Sequence, residues 1–140
     1  MNEEMLNLQK QIKENITSLV NAGKIDAAKP LISEYESIIQ NDVEIYSIKA
    51  VIAIMGNRLQ DAENLLKRGL IIDSNNFDLN YNLAYVYSTM QDYNQAFKYY
   101  KKSAELCKDE NIKSEINDSI ESILKDHKKE IKEERKRLTL

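Results

Sequence analysis

Apolar residues recur along most of this chain at steps of three and four, the spacing that lines one face of an α-helix, and short polar phrases interrupt them at regular intervals. The first stretch, about Asn2 to Ala22, carries Met5, Leu8, Ile12, Ile16 and Leu19 on such a stripe, and Gly23 supplies the turn after it. The pattern predicts a second helix over about Ile25 to Ile39. Pro30 lies early in it, so the missing N–H removes one bond and adds a small kink. Asn41-Asp42 breaks the chain, and Asp42 is placed to cap a third helix over about Val43 to Met55. Gly56-Asn57 turns into a fourth over Leu59 to Ile72, and Asn75-Asn76 into a fifth over Phe77 to Met90. A sixth covers Tyr93 to Cys107, and from Asn111 onward Ile112, Ile116, Ile120, Ile123 and Ile131 form one more stripe. No strand pattern occurs.

The helices repeat. Ala28, Ala62 and Ala96 stand 34 residues apart, and their surroundings move with them. Ile12, Tyr46 and Asn80 align, as do Ile16, Ala50 and Ala84; Ile25, Leu59 and Tyr93; and Ile32, Leu66 and Tyr100. The phrase Gly23-Lys24-Ile25-Asp26-Ala27-Ala28 recurs as Asn57-Arg58-Leu59-Gln60-Asp61-Ala62 and as Gln91-Asp92-Tyr93-Asn94-Gln95-Ala96. A fixed period of this size marks helix–turn–helix units, none of which buries its apolar stripe alone, so neighbours stack. Where helices cross closely only a small side chain fits, which the alanine columns supply, and the large residues around them fill the space between layers.

The third unit, Asn80-x-x-Leu83-Ala84-x-x-Tyr87 then Ala96-x-x-x-Tyr100, resembles the tetratricopeptide pattern W-x-x-L-G-x-x-Y…A-x-x-x-F. The second unit keeps Tyr46, Ala50, Ala62 and Leu66 and closes on Asp73-Ser74-Asn75-Asn76, while Lys49 stands in the column of Leu83. The first is the most degenerate, with Ile12, Ile16, Leu19, Gly23, Ala28 and Ile32. The resemblance covers residues 9 to about 110 and implies an all-α fold: a right-handed α-solenoid of three tetratricopeptide-like hairpins, about 1–42, 43–76 and 77–110. Residues 111–140 lack the alanine columns and are expected to form a long capping helix with a charged tail.

Composition narrows the function. The formal net charge of −3 argues against a general nucleic-acid partner. The tail from Lys125 to Arg137 is locally basic, seven Lys or Arg against four Asp or Glu, and reads as a solvated helical face. One Cys suits a reducing cytoplasm. The acidic amino terminus, Met1-Asn2-Glu3-Glu4, does not read as a signal peptide, and no apolar run reaches the roughly 20 residues that span a bilayer. Chemistry is sparse. His127 is the only histidine, Cys107 has no histidine near it in sequence, and no phosphate-binding loop or catalytic motif occurs. No enzyme, metal or cofactor is expected.

The resemblance instead implies a concave groove, lined by the first helix of each hairpin, that holds an extended peptide or a partner helix. By alignment its residues are Lys10, Lys13, Thr17, Val20 and Asn21 in the first unit and Glu44, Ser47, Val51, Ile54 and Met55 in the second. In the third they are Asp78, Tyr81, Tyr85, Ser88 and Thr89. Val51, Ile54, Met55, Tyr81 and Tyr85 give this face an apolar and aromatic centre, suited to an apolar or mixed-charge protein partner. The clamp by which some family members hold an acidic chaperone tail is not expected. Its columns hold Lys13, Thr17, Ile48, Asp78 and Asn82, of which Lys13 alone matches and Asp78 would repel. Two other readings stay open. The phrasing is similar to bacterial repeat segments attached to glycosyltransferases, which would make the chain an accessory module of a larger protein. Alternatively, its apolar groove or the Ile112–Ile131 stripe packs on a second copy as a homodimer.

Overall fold

Seven α-helices occupy the described part of the chain, residues 2–138, in the computed structural model. Met1 of the amino-terminal stretch and the last two residues of the 111–140 segment lie outside it. The helices are α1 (Glu3–Asn21), α2 (Ile25–Ile38), α3 (Val43–Met55), α4 (Leu59–Ile72), α5 (Phe77–Thr89), α6 (Tyr93–Leu106) and α7 (Glu110–Leu138). The order and class are those expected, and several expected ends run one residue long because the residue there is a cap. Asn2 accepts from the Met5 amide in front of α1, and Ile39, Met90 and Cys107 close α2, α5 and α6. Asp42 caps α3 through the Glu44 amide, and Asn76 caps α5 through the Leu79 amide. Pro30 sits inside α2 without ending it.

The turn inside each hairpin is one device used three times. Gly23, Asn57 and Gln91, 34 residues apart, all have left-handed backbones, with φ of 75°, 57° and 64°. After each, an amide reaches back over the helix end: Lys24 to Leu19 (2.8 Å), Arg58 to Ala53 (2.8 Å) and Asp92 to Tyr87 (2.9 Å). With the bonds of three-residue span, Gly23 to Val20, Asn57 to Ile54 and Gln91 to Ser88, these are Schellman caps, which satisfy the last helical carbonyls. The second turn falls at Gly56-Asn57, as expected. Gly56 keeps an ordinary φ of −87°, and Asn57 takes the strained position.

The chain divides into two compact units, Met1–Ile72 and Asp73–Leu140. In the first, α1 packs on α2, α3 on α4, and α1 also meets α3. Its core gathers Ile16, Val20, Ala28, Ile32, Tyr35, Ile45 and Ile52, with Ile48 and Val51 packed at the margin. In the second, α6 packs between α5 and α7. The alanine columns behave as their size requires: Ala28, Ala50, Ala62, Ala84 and Ala96 are all fully buried. Of the Ile stripe on α7, Ile116 and Ile123 are buried, whereas Ile112 and Ile131 remain exposed. A helix of 29 residues runs about 43 Å, twice the length of the 14-residue α6 beside it, so part of α7 has no α6 turn to cover it.

Candidate partner-binding site

In the first unit the groove face begins on α1. Lys10 and Thr17 are exposed, and together with Lys13 and with Glu44 of α3 they line a depression of about 690 Å³. Lys13 is not a free cation. Its Nζ lies 3.1 Å from Asp42 Oδ2 and 3.3 Å from Glu44 Oε2, tying α1 to the start of α3. Asp42 Oδ2 also accepts the Tyr35 hydroxyl of α2 at 2.6 Å, so one carboxylate joins three helices. Burial alone would lift Asp42, but hydrogen bonds from Tyr35 and Lys13, with the ammonium charge, hold it below its ordinary value. Burial likewise works against the Lys13 charge, and Asp42 with Glu44 outweighs it, so the ammonium is held above its usual value. Sequence reading saw only the capping role of Asp42, because the other two partners come from distant helices.

Val20, expected on this face, is instead part of the core at 4% exposure, since α1 turns its last apolar residues toward α2 and α3. Asn21 is exposed. On α3, Ser47, Val51 and Ile54 are half-buried and Met55 is 54% exposed. Val51 therefore belongs to both the core margin and the surface.

The second unit carries the aromatic part. Tyr81 on α5 stacks on Phe77, with ring centroids 5.8 Å apart, and meets the edge of Tyr100 on α6 at 5.9 Å. Burial, then the neighbouring phenols of Tyr81 and Tyr85, push Tyr100 up to about 12. Tyr85 is 46% exposed at the rim of this cluster. Asp78 and Thr89 are exposed and Ser88 half-buried; the Thr89 hydroxyl donates to the Tyr85 carbonyl. Phe77 and the buried Tyr100 are thus parts of the aromatic cluster that alignment to the groove columns did not supply.

Residues 77–110, the α5–α6 hairpin, match the family model of the tetratricopeptide repeat. The chain carries a tetratricopeptide repeat. Comparison with curated proteins finds no match. Among solved structures the chain is similar to PcrH from Pseudomonas aeruginosa, at 14% identity and a TM-score of 0.73 over 89% of this chain and 95% of that one. It is similar also to PcrH in complex with the chaperone binding region of PopD, at 14% identity and a TM-score of 0.74, covering 91% and 96%. The Sgt2 tetratricopeptide domain from Aspergillus fumigatus matches at 17% identity and a TM-score of 0.70, covering 91% and 82%. At such identities the likeness concerns the fold alone.

Other chemistry is thin in the described residues. No three His, Cys, Asp or Glu side chains converge as a metal ion would need. Cys107 is half-buried, with its Sγ against the Asp109 carbonyl. His127 packs edge-on against Tyr93 and is not part of a solvated tail. No described helix is long and apolar enough to cross a membrane.

Proposed function

We propose that this chain is a non-catalytic protein-interaction scaffold whose first-helix faces hold a peptide or helix of a partner protein. The observation that carries the reading is the aromatic face of α5, where Tyr85 stands exposed beside Tyr81 and Tyr100. Tyr85 adds an open face to that packed cluster, and tyrosine offers large contact area with a polar tip. In the first unit the corresponding face is Val51, Ile54 and Met55, with Ser47 beside it and with Thr17 on α1. Asp78 and Ser88 supply polar margins on α5. Lys13 contributes position more than charge, since Asp42 and Glu44 already neutralise it. PcrH, crystallised with the chaperone binding region of PopD, shows that this fold can hold a segment of another protein. The reading makes residues 1–110 the hairpins that do the binding and 111–140 their cap, in a cytoplasmic protein.

The test is a pull-down from an extract of the source organism with wild type and with Met55→Ala/Tyr85→Ala. A protein held by the first and lost from the second supports the reading, provided the variant unfolds at the wild-type temperature. Identical profiles would overturn it. Recovery of the bait alone would favour a homodimer or a module that works only inside a larger, glycosyltransferase-type protein.

A further inference from the structure

The other side of α3 holds a second feature, independent of the first-helix faces. At about 100° per residue, Lys49, Ile52 and Ala53 project roughly opposite to Ser47, Val51, Ile54 and Met55. They line an open cavity of about 550 Å³ that α2 and α4 complete. Its apolar floor includes Ile32, Ile52 and Leu65, and its walls bear four cations, Lys29, Lys49, Arg58 and Arg68, against the carboxylates Glu36 and Asp61. Residues 1–72 contain eight Lys or Arg against ten Asp or Glu, so half the cations of an acidic unit meet here.

Two local departures build this charge. Lys49 occupies the column of Leu83, which is fully buried in its own hairpin, and its side chain is 35% exposed. A leucine there would close the space; the lysine instead carries an ammonium in, and Glu36 accepts from it at 3.3 Å. Gly56 makes room for Arg58, since a Cβ at Gly56 would stand 3.1 Å from the guanidinium Nη1. Asp61 lies 3.8 Å from Arg58 Nε, a loose pair. Among the described residues Lys29 and Arg68 face no carboxylate within ion-pair distance.

We propose that this cavity docks an acidic amphipathic segment of a partner protein, with apolar side chains on Ile32, Ile52 and Leu65 and carboxylates on Lys29, Lys49, Arg58 and Arg68. Charge complementarity selects this occupant. The chain's own projecting helical end is excluded by sign, because Lys125 to Arg137 carries seven cations against four anions. The floor of three aliphatic side chains favours a segment with leucine-like anchors over a bare inorganic anion. Glu36 then acts as an internal competitor, holding Lys49 until a partner carboxylate replaces it.

The experiment is fluorescence anisotropy on the full chain with two labelled helical peptides, one with leucines at helical spacing between glutamates, the other with those glutamates replaced by lysines. The acidic peptide should bind at least about tenfold more tightly than its basic twin, and the gap should shrink with added salt. Lys49→Leu restores the repeat's own leucine, so it should keep the fold and still weaken the acidic peptide by about tenfold; Arg68→Glu should do the same. Glu36→Gln releases the ammonium and should tighten binding, a change of opposite sign that a folding defect cannot produce. Met55→Ala/Tyr85→Ala should leave this binding unchanged, which separates it from the first-helix faces. Equal affinity for the two peptides, absence of binding by both, or insensitivity to Lys49→Leu and Arg68→Glu would overturn the proposal. Loss in the Met55/Tyr85 variant alone would overturn it too.

Discussion

Asp42→Ala is the substitution whose cost can be followed atom by atom. The carboxylate caps α3 through the Glu44 amide at 3.0 Å, and losing an N-cap costs about 1 kcal/mol. It also accepts the Tyr35 hydroxyl at 2.6 Å, on a residue only 4% exposed. Without Asp42 that hydroxyl is left without its partner, for a further penalty of about 1–3 kcal/mol. Lys13 keeps Glu44 at 3.3 Å, so the ion pair adds less, at most about 1 kcal/mol. The total is about 3 kcal/mol, read as a lower urea midpoint with an unchanged slope in circular dichroism. Tyr35→Phe should cost about 1 kcal/mol alone but regain about 1–3 kcal/mol on top of Asp42→Ala, because the orphaned hydroxyl is then gone. The double-mutant cycle should therefore show coupling of about 1 kcal/mol or more. Additivity within about 0.5 kcal/mol, or a loss below about 1 kcal/mol for Asp42→Ala, would refute the three-helix junction. Acid supplies a second check. A carboxyl held below its ordinary value stabilises the fold above about pH 4, and that contribution disappears as pH falls through the folded-state value. The gap between wild type and Asp42→Ala should narrow there.

The hairpin turns give predictions of both signs, measured as thermal midpoints. Gly23→Ala forces a Cβ into a left-handed backbone with nothing nearby to clash, and should cost about 1 kcal/mol from conformation alone. Gln91→Gly should gain up to about 1 kcal/mol by removing the same strain, and Asn57→Gly less, since asparagine tolerates the conformation better. Leu66→Ala, at a fully buried position where α4 meets its neighbours, should cost about 2–5 kcal/mol in chemical denaturation. Tyrosinate absorbance should show Tyr100 ionising near pH 12, above a phenol's ordinary value of about 10, in a step that Tyr100→Phe removes. Because the unfolded phenol ionises first, stability should fall as pH rises between those two values.

The helix count, the all-α class and the period are legible in the sequence because each rests on local spacing. Helices placed by stripes at steps of three and four end within a residue of the observed ends, and the alanine columns mark positions where only a methyl fits. Tertiary identity is less legible. Lys13 reads as a groove cation until Asp42 and Glu44 arrive from α3, and Val20 reads as surface until α1 turns it inward. Gly56-Asn57 announces a turn, but the repeat register, and not glycine's freedom, decides that Asn57 bears the positive φ. Lys49 was visible as a departure from the pattern. The company it keeps with Arg58 and Arg68 is not, because α4 brings those residues to it across the hairpin.

On the proposed function, partners meet the chain through its first-helix faces. Site-specific photo-crosslinking tests it most directly: a photoreactive phenylalanine derivative is placed at Met55 or Tyr85 and, for comparison, at Phe97 or Ile71, exposed positions on second helices. The first two should capture the same partner and the second two should not. Capture from Phe97 and Ile71 with none from Met55 and Tyr85 would contradict it.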